Sequence, residues 1–224
     1  MVDITLYGHL TFDRIFDKFS CDTSVGSMGN VWKNLNYLNS NLNIKLSPTE
    51  IGEALILVNK NKSERSSIAN LSLYKQQPLI YPSKWNHILY INELQDISFI
   101  KQLKNIVSAD ICRGNKLKNL DILKHIDYLF ISDEDLFTDI NNLVSKIRKA
   151  IIYHTSSGSK IYTKNNKVIE TKVKILNNIN VLGAGDLLAS CFIDEHLNNS
   201  DLKKSIQKAH KKVTTILKKQ LNEN

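Results

Sequence analysis

Short apolar runs alternate along the chain with stretches of helical spacing, and that alternation sets the expected elements. Ile4, Leu6 and Tyr7 lie in a strand-length run expected to end at Gly8. Val31, Leu35 and Leu38 share one face of a helix expected over residues 31–38. Residues 54–58 and 67–73 read as two strands joined by the polar turn 59–63. From Ile88 onward the order becomes regular. A strand at 88–91 precedes a helix at 97–107 carried by Ile97, Ile100, Leu103 and Val107. A strand at 127–131, a helix at 136–147 and a strand at 150–153 follow, then a hairpin of 160–163 and 167–171. Two helices, 186–197 and 201–221, end the pattern. Strands alternating with helices predict an α/β fold with a largely parallel sheet, to which the hairpins add antiparallel strands. Ligands of such sheets sit beyond the carboxyl ends of the strands.

Composition narrows the class. The 224 residues are 42% hydrophobic and 23% charged, which excludes a disordered chain and suits a single main body. The longest apolar run, 54–58, falls far short of the roughly 18 residues a membrane span needs, and the first residues lack a signal-peptide pattern. Cys21, Cys112 and Cys191 show no paired or zinc spacing. All three are read as small buried hydrophobes, and the setting as cytoplasmic. The net charge of +8 raises nucleic acid as a partner. However, seven lysines lie between 201 and 224 against Asp201 and Glu223, and 26 of the 30 cations are lysine. Only Arg14, Arg65, Arg113 and Arg148 offer a forked donor. A surface helix with a solvated lysine face accounts for the excess, and nucleic-acid binding remains a minor reading.

The chemically informative stretch is Asn180-Val181-Leu182-Gly183-Ala184-Gly185-Asp186, which opens an apolar helix. Small residues there let backbone N–H groups of the helix start approach an anion closely. A carboxylate beside such a site suits phosphoryl transfer, with the N–H groups facing the transferring charge and the acid taking a proton from an attacking hydroxyl. A tight turn in which Asp186 merely caps the helix is the competing reading.

Gly183-Ala184-Gly185-Asp186 resembles the C-terminal signature of the ribokinase-like (PfkB-type) carbohydrate kinases, and further segments match in that family's order. Gly8-His9-Leu10-Thr11-Phe12-Asp13-Arg14 is similar to the opening strand and turn of the family's heptose-phosphate kinases. Gly26-Ser27-Met28-Gly29-Asn30 resembles the Gly-Gly-x-x-Asn signature, and residues 54–66 the strand and return of a small β lid. Asp110-Ile111-Cys112-Arg113, Ser132-Asp133-Glu134-Asp135 and Thr155-Ser156-Ser157-Gly158 fall where the family has Asp-x-Asn-x-Arg, Asn-x-x-Glu and Thr-x-Gly-x-x-Gly.

The resemblance implies a ribokinase-like fold, trimmed relative to the family, over residues 1–224, with 54–73 as the lid. It implies ATP and Mg2+ as cofactors. It makes Asp186 the catalytic base and Gly183, Ala184 and Gly185 the anion hole. Asp13 and Asn30 would bind sugar hydroxyls. Thr155, Gly158 and, more loosely, His210 would line the nucleotide site, and Asp135 would stand in the metal–phosphate network. Lids pair between subunits in several members, so a homodimer through residues 54–73 is expected. The leading reading is an ATP-dependent phosphotransferase acting on a hydroxyl of a sugar or sugar phosphate, with a heptose phosphate as the narrower expectation. Ser27, Ser132, Asp135 and Asn180-Val181 depart from the family's residues. Those departures carry the alternative, a catalytically weakened kinase fold that binds a ligand or partner.

Overall fold

The computed structural model describes all residues except 18–19, 60–63, 112–116, 118, 137, 177–181, 200 and 224. The chain forms two compact units. The first comprises Met1–His9, Leu42–Thr49 and Gln76–Lys172; the second comprises Leu10–Asn41, Glu50–Lys75 and Val173–Asn224. Two long strands, β1 (Val2–Phe16) and β3 (Ile44–Asn59), contribute residues to both.

In the first unit, β5 (Ser83–Ile88), β6 (Ile106–Asp110), β7 (Tyr128–Ser132) and β8 (Ala150–Thr155) lie parallel to one another. The start of β1 is parallel to β5. The hairpin of β9 (Gly158–Thr163) and β10 (Val168–Lys172) extends the β8 edge antiparallel, as expected from the sequence. Two 3-10 segments, Ser98–Gln102 and Leu120–His125, and the short helix α2 (Ile140–Lys146) pack with the sheet around Ile88, Ile100, Leu123, Leu129, Leu143 and Ile151. Asp139 starts α2 by accepting the Asn141 N–H at 3.1 Å.

Three expected elements are corrected here. The helix over 97–107 is instead the 3-10 segment followed by β6. Ile97, Ile100 and Leu103 are spaced by three, which a 3-10 helix satisfies as well as an α-helix, and Asn105 at φ 62° turns the chain into the strand. The strand expected at 88–91 lies earlier, at β5, because its buried residues Ser83, Asn86 and His87 are polar. Leu89 and Ile91 are buried in a turn, where Tyr90 adopts φ 52° and the Asp110 carboxylate accepts its N–H. The first strand does not stop at Gly8. Glycine passes there at φ 136°, where a Cβ would stand 2.7 Å from the Leu89 carbonyl.

Trp85, Ser108 and His87 form a buried, uncharged hydrogen-bonded cluster inside this unit. Trp85 Nε1 donates to Ser108 Oγ at 2.7 Å, and the same hydroxyl lies 2.8 Å from His87 Nδ1. Full burial pulls the His87 pKa down to about 3, so the ring stays uncharged.

In the second unit, β2 (Cys21–Ser24) pairs antiparallel with the end of β1. The end of β3 pairs antiparallel with β4 (Glu64–Lys75), the two strands expected at 54–58 and 67–73. Helix α3 (Ala184–Asn198) packs against α1 (Gly26–Leu38) and α4 (Leu202–Glu223). Asp201 opens α4 by accepting the Lys204 N–H at 2.7 Å. Among the described residues no helix is long and apolar enough to cross a membrane. The cysteines differ from expectation: Cys191 is buried but Cys21 is exposed, and Cys112 lies outside the described residues. Burial pushes the Cys191 thiol up to about 12, which leaves it protonated and unreactive.

Candidate active site

Within the second unit, three residues singled out in the sequence come together, two of them linked by a hydrogen bond and the third placed beside them by strand pairing. Asp13 on β1 stands opposite Ser24 on β2 in the ladder. Ser24 Oγ donates to Asn30 Oδ1 at 3.3 Å, and Asn30 Nδ2 donates to Asp186 Oδ2 at 3.2 Å. A strand, a hairpin partner and the first turns of two packed helices thus converge on one spot.

Asp13 is 7% exposed, and its Oδ1 has no hydrogen-bond partner. Burial raises its pKa, against the opposing effect of the Thr11 side chain and the Gly26 N–H, which both bond to the carboxylate. An acceptor buried without a donor costs on the order of 1–3 kcal/mol. Such a group suits a hydroxyl arriving on a ligand. Gly26 is required for this arrangement, because at φ 60° a Cβ would lie 2.2 Å from Thr11 Oγ1 and displace one of the carboxylate's donors. Thr11 and Ser24 were not singled out from the sequence. Thr11 carries a signal, since it lies two residues from Asp13 and so on the same strand face. Ser24 carries none until β1 and β2 pair.

Gly183 precedes α3 in the left-handed region, at φ 78°, and its carbonyl accepts the Leu187 N–H at 2.9 Å. The N–H groups of Ala184 and Gly185 stand ahead of the first intrahelical bond and point out of the helix end. Asp186 is buried in that first turn, beside Asn30. Backbone donors at a helix N-terminus next to an acid make a geometry for an anion and a proton acceptor. Asn180 and Val181 lie outside the described residues. His210 is buried on α4, and its carbonyl accepts from Thr214 Oγ1 at 2.9 Å.

The remaining candidates belong to the first unit. Thr155 Oγ1 lies 2.8 Å from Ser157 Oγ in an exposed turn and accepts the Ser157 N–H. Gly158 has a structural cause of its own: at φ 135° a Cβ would stand 2.0 Å from the Thr171 carbonyl on β10. The Asp135 carboxylate accepts from the Ser132 hydroxyl, in the loop after β7. Among the described residues no three His, Cys, Asp or Glu side chains converge as a metal site. Mg2+ is commonly held through substrate phosphates with one or two carboxylates, so the residues present fit a phosphate-borne Mg2+ and not a protein-built cage. The α3 start fits a phosphate chain.

No family model matches the chain. A nucleoside kinase from Methanocaldococcus jannaschii is 28% identical over 111 residues, which cover 45% of this chain and 37% of that protein. The crystal structure of a Methanocaldococcus jannaschii nucleoside kinase, a member of the ribokinase family, matches 97% of this chain and 92% of its own. Its TM-score is 0.67 at 20% identity. A protein from Escherichia coli assigned as ribokinase II, in complex with ATP and Mg2+, matches 93% of this chain and 90% of its own, with TM-score 0.68 at 14% identity.

Proposed function

We propose that this chain, which has the ribokinase-like fold, is an ATP-dependent phosphotransferase acting on a hydroxyl of a sugar or nucleoside. The observation that carries the reading is the hydrogen-bonded chain Ser24–Asn30–Asp186, which ends at the start of α3 and has Asp13 opposite Ser24 in the β1–β2 ladder. In this role Asp13 Oδ1 and the Asn30 amide hold substrate hydroxyls. Asp186 takes the proton of the attacking hydroxyl. The backbone N–H groups at Ala184 and Gly185 face the charge on the transferring phosphoryl. ATP supplies that phosphoryl group, and Mg2+ offsets its charge. Thr155, Gly158 and His210 on the nucleotide, and Asp135 in the metal–phosphate network, complete the assignment.

A neutral sugar or nucleoside suits the site better than a heptose phosphate. Strand alternation turns Arg14 to the face of β1 opposite Asp13, where it is exposed, so it brings no cation to the Asp13 carboxylate. The test is a panel of sugars, nucleosides and heptose phosphates with ATP and Mg2+, followed by ADP release. Turnover on an unphosphorylated hydroxyl compound is expected; ADP release with none of them would leave the weakened-kinase alternative standing.

The lid offers the surface for a second copy. Leu55 and Ile68 are direct cross-strand partners and are 41% and 77% exposed, with Leu57 exposed on the same face. Ile56, on the other face, is buried. A homodimer burying that face is expected in sedimentation at tens of micromolar, and a monomer there removes the assignment.

A further inference from the structure

A shallow, wide-mouthed cavity of about 570 Å³ opens on the surface of the first unit, lined by Met1, Lys84, Asn105, Ile106, Asp127, Arg148 and Lys149, with its three cations about half exposed. These residues lie at the amino ends of the parallel strands β1, β5, β6, β7 and β8. Thr155 ends β8, whereas Lys149 immediately precedes it, so the cavity and the Thr155 turn lie about 20 Å apart at roughly 3.3 Å per residue. The cavity therefore lies at the opposite end of β8 from the Thr155 turn.

Its charge is unbalanced. Asp127 is buried and already accepts the Val107 N–H at 2.9 Å. Two cations face this one carboxylate, Arg148 Nη1 at 3.7 Å and Lys149 Nζ at 3.5 Å. One countercharge suffices for one carboxylate, so the second is surplus. The Arg148 distance exceeds hydrogen-bond length, and no described residue accepts a hydrogen bond from its guanidinium. Lys84 adds a third cation, shared with Asp3 at 2.8 Å. The field extends outward: the His125 pKa is lowered by partial burial and then by Lys124, Lys101 and Arg148. A planar fork with unused donors, two ammonium groups and a volume in the small-ligand range make a receptor for a compact dianion.

We propose that this cavity binds a phosphate group, carried either by free phosphate or by a small phosphomonoester. The test is calorimetry on the full chain at low salt, with inorganic phosphate and glucose 6-phosphate as probes. Arg148→Gln and Lys84→Gln are each expected to weaken binding about tenfold, the loss of one charge-assisted contact. Lys149 remains opposite Asp127 in the first variant, and Asp3 keeps the Asn43 N–H at 3.0 Å in the second, so thermal unfolding should move little in either. Asp186→Asn should leave this binding unchanged, which separates its failure from failure of the kinase reading. Tighter binding of glucose 6-phosphate than of phosphate identifies a phosphomonoester site; equal binding identifies a site for the anion alone. Absence of phosphate binding, or affinity unaltered in both Arg148→Gln and Lys84→Gln, would overturn the proposal.

Discussion

The two ends of α3 bury carboxylates in opposite ways. Near its C-terminal end, Asp194 and Glu195 are buried where the helix dipole disfavours negative charge. Cations from α4 offset that cost: Lys212 Nζ lies 2.7 Å from Asp194 and 2.6 Å from Glu195, and Lys208 lies 3.3 Å from Glu195. At the N-terminal end, Asp186 sits where the dipole favours it and receives the neutral Asn30 amide, and on β1, opposite Ser24, Asp13 keeps one oxygen unpartnered. One end is saturated and fixes the packing of α3 on α4. Beside the other, Asp13 retains an unpartnered acceptor in a buried place, at some cost in stability, and a ligand is the natural claimant.

The sharpest way to break this contrast is Asp186→Asn. Turnover should fall about 10²–10⁴-fold, because the proton acceptor is lost while the backbone donors stay. ATP affinity, measured by calorimetry, should hardly change. Turnover that survives the substitution would show that the acid is only a helix-start residue. Lys212→Met addresses the other end and should leave kinetics intact. It strands two buried carboxylates, but the ammonium is partly exposed and Lys208 still serves Glu195. A loss of about 2–3 kcal/mol in urea unfolding is therefore expected, below the full value for a buried pair. A loss under 0.5 kcal/mol would mean that water already screens the cluster.

Asp13→Asn should affect binding and stability in opposite directions. A carboxyl whose pKa is raised on folding holds its proton more tightly in the folded chain. Its contribution favours folding below the ordinary carboxylate range and is lost as pH rises through the raised value. At neutral pH the Asn variant should thus be more stable than the parent, by a margin that shrinks in acid. Its KM for the hydroxyl substrate should rise about tenfold, the worth of one hydrogen bond to a charged group. Thermal melts from pH 3 to 8 and steady-state kinetics decide both parts. The smallest effect belongs to Ser24→Ala. Loss of one neutral hydrogen bond to Asn30 should cost about threefold to tenfold in kcat/KM, with the fold unaltered. Recovery in Ser24→Thr, which restores the hydroxyl, would distinguish orientation of Asn30 from simple packing.

The α/β class, the hairpin at the β8 edge and the small strand pair at 54–73 were legible along the chain, because burial on a strand or helix leaves a period in hydrophobicity. Residue types drew attention to the Gly183–Asp186 turn, whereas Asp13 and Asn30 were singled out only through the resemblance of their segments to ribokinase-like signatures. The sequence misjudged β5, whose buried Ser83, Asn86 and His87 take their partners from other strands and so look solvent-facing in one dimension. It misjudged residues 97–107 because spacing by three does not separate a 3-10 turn from an α-helix. Ser24 and Thr11 gained their place only when β1 met β2, and Asn30 met Asp186 only across 156 residues of chain. Hydrogen-bond partnership and charge balance depend on distances of a few ångströms between residues far apart in sequence. A linear pattern carries the identity of such groups, and only the folded chain decides which of them meet.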